Sequence, residues 1–304
     1  MYLNYYLKQL GYYKMPTFLK KYLKTPCLLR LKKVGYFCGM DYASKDIYNF
    51  KEYISRYDHS LTVCLLTYKL TKNKEACLAG LFHDVATPCF SHVIDYMNKD
   101  YNKQESTEEY TEKIIRNDKY LENCLKKDKI NINDIINFKK YSVVDNERPK
   151  ICADRLDGII LTGISWTKNI DKNHIKNILN SLILYQNEDK EEEIGFKDEK
   201  IAKLALNINK RIDLYCHSNE DNYMMELLAN ITKYAIKMNY ITYDDLYRLD
   251  EQILFSKLKN LKDKYLDNLI LKFETIKSSD IENIDLPKIK KRIINPLVNG
   301  KRIY

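Results

Sequence analysis

Residues 74–92 read KEACLAGLFHDVATPCFSH, an almost continuous apolar run followed by an adjacent His and Asp. The apolar run predicts a helix over 74–84 that is buried on most of its surface and ends in His83–Asp84. Polar groups at the end of a buried helix cost free energy unless they are paired or bind a ligand. The stretch therefore predicts a buried helix that ends in a candidate pair of metal ligands.

Two further candidate ligands lie outside this stretch. His59 directly precedes an amphipathic helix predicted over 60–72, and Asp154 lies in an apolar helix predicted over 150–164. Imidazole and carboxylate ligands together suit Mn, Fe, Zn or Mg, with water completing the shell. For Asp154 taken alone, an intrahelical pair with Arg155 or a helix cap is the commoner explanation.

Helical periodicity runs through most of the chain, and Gly (8) and Pro (6) are too scarce for many turns. Residues 35–57 are rich in Tyr and predict an irregular or β segment. Asn299–Gly300 predicts a β-hairpin over 293–304, in which Pro296 restricts the first arm to a sheet edge. The chain is therefore predicted to be all-α with one minor β-hairpin. The remaining predicted helices span 89–97, 106–116, 130–140, 173–187, 196–217, 221–238, 243–259 and 261–277.

The composition limits the classes of function. A net charge of +9 attracts polyanions, but the basic residues are scattered, so a nucleotide is favoured over nucleic acid as the ligand. The eight Cys residues form no Cys-x-x-Cys pair, which predicts a reducing compartment and no disulfide framework. No apolar run approaches the roughly 20 residues of a membrane span, and no signal peptide is recognisable. We therefore expect a cytoplasmic protein that does not enter the membrane.

The order His…His-Asp…Asp, here His59, His83–Asp84 and Asp154, resembles the signature of the HD superfamily of metal-dependent phosphohydrolases. Further motifs resemble the branch that hydrolyses dGTP and other deoxynucleoside triphosphates. They are Thr25-Pro26, Leu29-Arg30-Leu31, Lys33-Val34-Gly35, Arg56-Tyr57-Asp58-His59-Ser60-Leu61, Gly80-Leu81-Phe82-His83-Asp84-Val85, Phe90-Ser91-His92 and Asp154-Arg155-Leu156-Asp157.

The resemblance implies a helical bundle and one HD-type domain over residues 1–304. Its HD core would span 25–165, and a helical extension over 166–304 would end in a short β segment. The resemblance is strongest over the core. By analogy with relatives, it also implies a homo-oligomer.

The resemblance implies roles for individual residues. One divalent ion (Mn, Fe, Mg, Zn or Ni) would be held by His59, His83, Asp84 and Asp154. Arg56 and Arg155 would contact substrate phosphate, where a guanidinium stabilises developing charge. His92 and Glu105 would be the catalytic acid and base groups. The alternatives are a hydrogen-bonded core His and a solvated Glu at an acidic helix start.

Three positions depart from the branch that the chain resembles. Thr87 and Gln104 stand where some members have a His, and Gly158 replaces an aromatic residue that packs on the sugar in some relatives. His92 is the candidate to replace the missing acid–base group. The metal ligands are thus intact, whereas the usual substrate of the branch does not follow from them.

Three functions agree with this pattern. The leading expectation is hydrolysis of a nucleotide, with a deoxynucleoside triphosphate as the best substrate. A phosphodiesterase for cyclic or oligomeric nucleotides would use the same ligands, and open space beside Gly158 would favour it. A catalytically weak HD domain that binds nucleotide or nucleic acid as a regulator is the third alternative, and Thr87 and Gln104 favour it.

Overall fold

The computed structural model describes residues 1–101, 110–281 and 289–304. These ranges are mostly helical and carry one small four-stranded sheet, which confirms the predicted all-α class with minor β structure. No described helix is both long enough and apolar enough to cross a membrane.

The α-helices are α1 (Tyr2–Gln9), α2 (Leu19–Tyr22), α3 (Pro26–Arg30), α4 (Arg56–Thr71), α5 (Lys74–Phe82), α6 (Val93–Asn98), α7 (Thr111–Asn117), α8 (Lys119–Asp128), α9 (Ile132–Ile136), α10 (Ala153–Ser165), α11 (Lys172–Ser181), α12 (Glu199–Cys216), α13 (Asn219–Lys237), α14 (Asp245–Arg248), α15 (Glu251–Lys259) and α16 (Lys264–Thr275). Short 3₁₀ helices span Tyr12–Lys14, Leu31–Lys33, Met40–Tyr42, Phe138–Lys140 and Ser278–Asp280.

Helices α4 and α5 form a hairpin at the centre of the fold. α4 begins at a capping box, in which the side chains of Ser55 and Asp58 each accept a hydrogen bond from the other's backbone N–H. α5 begins after the N-cap residue Asn73 and buries seven of its nine residues. A Cβ on Gly80 would lie 3.2 Å from Cγ1 of Val63, so the missing side chain lets the two helices approach closely.

The ends of three helices position the predicted metal ligands. α5 ends at Phe82, so His83 and Asp84 lie in the turn that follows it. α10 packs along α4 and carries Asp154 in its first turn. His59 was expected just before a helix but lies in the first turn of α4, because the capping box starts that helix earlier.

Buried side chains form two large clusters. The first joins α1, α4, α5, α10, α11 and α12, and the second joins α6, α13, α15 and α16. The segment 35–55 is irregular, as predicted, and begins and ends at a bridge between Gly35 and Ser55. Within it, Phe37 stacks on Phe50 with ring centroids 4.3 Å apart.

A small sheet closes one side of the first cluster. Its strands are β1 (Leu182–Gln186), β2 (Glu192–Phe196), β3 (Leu297–Val298) and β4 (Lys301–Arg302), in that spatial order, with β2 and β3 parallel. The predicted C-terminal hairpin is confirmed, and its turn residues Asn299 and Gly300 have φ angles of 51° and 75°. The edge position expected for its first arm is wrong. Pro296 precedes the paired residues, so β3 pairs on both sides.

Several helix boundaries also differ from those predicted from the hydrophobic periodicity. The predicted helix 173–187 ends at Ser181, because the next five residues pair with β2 as a strand. The predicted helix 243–259 is broken into α14 and α15, since Leu249 adopts an extended backbone. α1, α2, α3 and α8 were not predicted. The cap predicted at 106–109 lies outside the described residues.

Candidate metal centre

His59, His83, Asp84 and Asp154 meet at one place, although they come from three separate segments. His59 Nε2 lies 2.9 Å from Asp154 Oδ1 and 3.8 Å from Asp84 Oδ2. His83 Nε2 lies 3.5 Å from Asp154 Oδ1 and 3.7 Å from Asp84 Oδ1. One donor atom each from His59, His83 and Asp154 lies within 4.8 Å of the other two. The four predicted ligands therefore share a site.

The two imidazole rings are held so that the same nitrogen of each faces the site. Asp157 Oδ2 lies 2.8 Å from His59 Nδ1, and the main-chain oxygen of Gly80 lies 2.8 Å from His83 Nδ1. Both partners are acceptors, which assigns a proton to each Nδ1 and leaves Nε2 as the ligand atom. His83 Nε2 is buried and has no hydrogen-bond partner in the described part of the chain. A ligand at this site would satisfy it.

The charges around the site favour a cation. Burial lowers the pKa of His59, but the hydrogen-bonded carboxylates of Asp154 and Asp157 outweigh this effect and raise the pKa to about 10. Burial raises the pKa of Asp84, yet the neighbouring His83 charge contributes to holding it well below its usual range. Burial also raises the pKa of Asp154, but the hydrogen bond with His59 and the charges of both imidazoles outweigh it and hold that pKa well below its usual range. Without an ion, imidazolium protons thus compensate the ionised carboxylates.

The donor set fits a divalent metal. Two imidazole nitrogens and two carboxylates are ligands that first-row divalent ions accept, and a bound ion replaces the compensating protons. His59 and His83 would bind through Nε2, and Asp84 and Asp154 through carboxylate oxygens. The buried, unpaired Nε2 of His83 is the feature that this assignment explains best.

The Arg56 guanidinium lies directly beside these ligands. Nη1 donates to Asp84 Oδ2 at 2.9 Å, and Nε donates to Ser91 Oγ at 3.0 Å. The guanidinium carbon lies 4.9 Å from the ring centre of Tyr36, whose ring centre is 5.1 Å from that of His59. Arg56 therefore orients Asp84, and its contact with substrate phosphate stays a prediction.

Arg155 is bonded to the loop that precedes α10. Nη1 donates to Asn146 Oδ1 and Nη2 to the main-chain oxygen of Asn146, both at 2.7 Å. Nη1 also donates to the main-chain oxygen of Lys150. Arg155 lines the same cavity as the metal ligands. Arg155 therefore anchors the loop that precedes α10. Its predicted contact with substrate phosphate stays a prediction.

His92 lies at the cavity wall and is paired with an acid. Its Nδ1 is 2.8 Å from Asp95 Oδ2, and its side chain is 28% exposed whereas that of Asp95 is fully buried. His92 is therefore not enclosed in the core, and Nε2 is the ring atom left for a substrate. Thr87 is buried, and its main-chain oxygen accepts a hydrogen bond from Arg30. Glu105, the other predicted catalytic residue, lies outside the described residues, as does Gln104.

The site opens into a cavity of about 830 Å³. Beside the ligands, a Cβ on Gly158 would lie 3.0 Å from the hydroxyl of Tyr36. Tyr36 therefore fills the space that was expected to be open, so Gly158 gives no support to a phosphodiesterase. Further along the wall are the aromatic residues Tyr48, Tyr96 and Trp166 and the basic residues Arg148, Lys150, Lys290 and Arg292.

Three residues of the site were not assigned roles from the sequence. Asp157 and Asp95 each lie three positions after a candidate residue, a spacing that puts them on the same helical face. That spacing is a local signal that could have found them. Tyr36 had no such signal, because it reaches the ligands from an irregular segment.

Comparison with known proteins agrees with this geometry. Residues 56–157 match the family model of the HD domain. The chain is also similar to an uncharacterized protein, YdhJ, of Bacillus subtilis (strain 168). The two are 24% identical over 295 residues, which cover 95% of this chain and 86% of YdhJ. HD domains generally bind divalent metals and act as metal-dependent phosphohydrolases. Residues 56–157 of this chain are therefore similar to an HD domain, and the four residues that meet at the candidate metal centre all lie within that range.

Proposed function

We propose that this protein is a metal-dependent phosphohydrolase that acts on a nucleotide, with a deoxynucleoside triphosphate as the favoured substrate. The observation that carries the proposal is the convergence of two oriented imidazoles and two ionised carboxylates on one wall of a large cavity. A divalent ion bound there would stabilise charge on a phosphoryl group and lower the pKa of water.

The residues around the centre have distinct tasks in this proposal. Arg56 holds Asp84 in place through its 2.9 Å hydrogen bond and presents positive charge to the cavity. Asp95 holds His92 through Nδ1, which leaves Nε2 of this cavity-lining residue to give or take a proton. The metal ligands and His92 line the same cavity.

The dimensions and lining of the cavity support a nucleotide. About 830 Å³ is within the range of small-molecule sites. Tyr48, Tyr96 and Trp166 make part of the cavity lining aromatic, which suits a base, and the basic residues suit phosphates. The choice of a deoxynucleoside triphosphate rests on the motifs around the ligands.

The proposal is tested with the purified full-length chain and Mn²⁺. Deoxynucleoside triphosphates, ribonucleoside triphosphates and cyclic nucleotides would be incubated with it, and the products separated by chromatography. Nucleoside and inorganic triphosphate are expected from the deoxynucleoside triphosphates. His83→Asn should abolish this turnover, whereas His174→Asn, at a half-exposed His that does not line the cavity, should leave it unchanged.

Other outcomes would overturn the proposed triphosphate hydrolysis and point to a different function. Mononucleotide released from a cyclic substrate would indicate a phosphodiesterase. Tight nucleotide binding without turnover of any substrate would indicate a regulatory domain.

A further inference from the structure

Two arginines, Arg148 and Arg292, lie in the cavity wall. Among the described residues, no carboxylate oxygen lies within 4.0 Å of the guanidinium of Arg148 or Arg292. Nε of Arg292 is buried and has no hydrogen-bond partner in the part of the chain that the structure describes, and the nearby Cys216 thiol is a weak partner for a guanidinium. Within the described ranges, the hydrogen bond of the Arg148 guanidinium is that of Nη1 to the main-chain oxygen of Ile293, at 3.5 Å. Both side chains are partly buried, and partly buried charge without a carboxylate partner is costly, so both are poised for an anion.

Neighbouring cations make this part of the wall strongly positive. Burial and the charges of Arg155 and Arg292 lower the pKa of Arg148 to about 10. Burial and the charges of Arg148 and Arg292 likewise lower the pKa of Lys290. The four cations therefore repel one another, and a bound anion would relieve that repulsion.

The main chain holds Arg292 in place. Its N–H donates to Asp213 Oδ1 at 2.7 Å, and its carbonyl accepts from Asn209 Nδ2 on α12. Further along, the N–H of Asn295 donates to the main-chain oxygen of Pro149 at 2.8 Å. The C-terminal segment 289–296 is thus tied to both α12 and the loop that carries Arg148. The two guanidinium groups are brought to one wall by bonds that do not involve the metal ligands.

Phosphate is the anion that best fits two guanidinium groups in this cavity. A guanidinium presents paired N–H donors that match phosphate oxygens, and it stays charged when desolvated. The same cavity contains the candidate metal centre, where one phosphoryl group would react. Arg148 and Arg292 line that cavity together with the metal ligands.

We propose that Arg148 and Arg292 bind the phosphate groups of the substrate that lie beyond the one attacked, so that the protein selects substrates with a chain of phosphates. The proposal rests on the phosphohydrolase function proposed above, which it deepens. It also assigns a part of the substrate site to the C-terminal segment, outside residues 56–157.

Inorganic triphosphate is the probe that tests this inference. Its binding to the full-length chain in Mn²⁺ would be measured by isothermal titration calorimetry, next to that of inorganic phosphate. Arg148→Gln and Arg292→Gln should each weaken triphosphate binding roughly 10- to 100-fold, as expected for a lost charged hydrogen bond. Phosphate binding should change by less than about threefold, since one phosphate is held at the metal centre. Arg248→Gln, at an exposed Arg paired with Asp244, is the matched control and should change neither.

The outcomes separate the two proposals. Triphosphate binding that is absent from the wild type, or equal in wild type and both variants, overturns this inference whether or not the protein hydrolyses nucleotides. Selective loss of triphosphate binding supports it even if no hydrolysis is found, in which case only the proposed function fails. If Arg292→Gln does not fold, Arg292→Lys keeps the charge but loses the fork. Arg292→Lys should then weaken triphosphate binding more than phosphate binding, but to a smaller extent than Arg292→Gln would.

Discussion

His92 and Asp95 form a pair in which the carboxylate is buried and the imidazole faces the cavity. The 2.8 Å contact at Nδ1 leaves Nε2 available, and the carboxylate fixes the orientation of the ring. Asp157 holds His59 through the same ring nitrogen. Each of these acids acts through a histidine and is therefore a positioning residue.

Asp95→Asn tests the first pair. The amide keeps the size of the side chain but removes its charge, so we expect kcat to fall about 10- to 100-fold with little change in KM. The pH dependence of kcat should shift as well, which a purely structural loss would not cause. Asp134→Asn, in an exposed pair with Lys140, serves as the control. An unchanged pH profile and an unchanged kcat in Asp95→Asn would show that His92 takes no part in the reaction.

At the residue scale, the ligands could be predicted because adjacent His83 and Asp84 follow an apolar run, and because their order with His59 and Asp154 is distinctive. The phosphate contacts of Arg56 and Arg155 stay predictions. Their guanidinium groups already bond Asp84 and the 146–150 loop, and such partners are invisible in a linear pattern.

The helical hairpin of α4 and α5 is the element on which the centre is built. Its sequence is consistent at every level: caps at Ser55 and Asn73, an apolar interior and a Gly80 that permits close packing. Such agreement makes a helix predictable from periodicity. β1 was not predictable in this way, since Leu182–Gln186 has an apolar pattern that also suits a helix and becomes a strand only by pairing with β2.

Ser55→Ala tests the contribution of the capping box. The N–H of Asp58 would lose its side-chain acceptor, so we expect the free energy of unfolding to fall by about 1 kcal/mol. Urea denaturation followed by circular dichroism would measure it. Ser279→Ala, at an exposed Ser whose hydroxyl donates to the carboxylate of its neighbour Asp280, is the matched control. Equal stability of Ser55→Ala and wild type would mean that the box contributes nothing to α4.

Across the whole molecule, Glu251 connects the C-terminal helices to the first half of the chain. Its carboxyl group is buried and accepts from the N–H of Phe90 at 2.8 Å and of Gly35 at 3.3 Å. Burial and the nearby Asp41 raise its pKa to about 8, against those hydrogen bonds and the charge of Arg56. The folded protein therefore retains this proton over a pH range in which the unfolded chain releases it.

This linkage predicts how stability depends on pH. For an acid whose pKa is higher in the folded state, stability is greatest below the unfolded pKa of about 4.5 and falls until pH 8 is reached. The expected slope from Glu251 approaches about 1.4 kcal/mol per pH unit. Asp221 and Asp41, with pKa values raised to about 7 and 6 mainly by burial, act in the same direction. Glu251→Gln should thus flatten the decline in free energy of unfolding between pH 5 and 8 without abolishing it. The same slope of the free energy of unfolding against pH in wild type and variant would contradict the raised pKa of Glu251.

The assembly of the cavity is the part that sequence reasoning could not reach. Arg148 and Arg292 stand in unremarkable basic surroundings, and only the ties of the C-terminal segment to α12 and to Pro149 place them on one wall. Long-range contacts of this kind leave no periodic pattern in the sequence from which they could be predicted. The single HD-type domain and the homo-oligomer stay predictions.

Metal binding is the most direct test of the centre itself. Calorimetric titration of the metal-free protein with Mn²⁺ should give one tight site per chain. His83→Asn and Asp154→Asn should each weaken that site by more than about 100-fold, because each removes a ligand rather than a supporting group. His174→Asn should bind Mn²⁺ as the wild type does. Unchanged Mn²⁺ stoichiometry and affinity in His83→Asn and Asp154→Asn would contradict the metal centre and the phosphohydrolase function proposed from it.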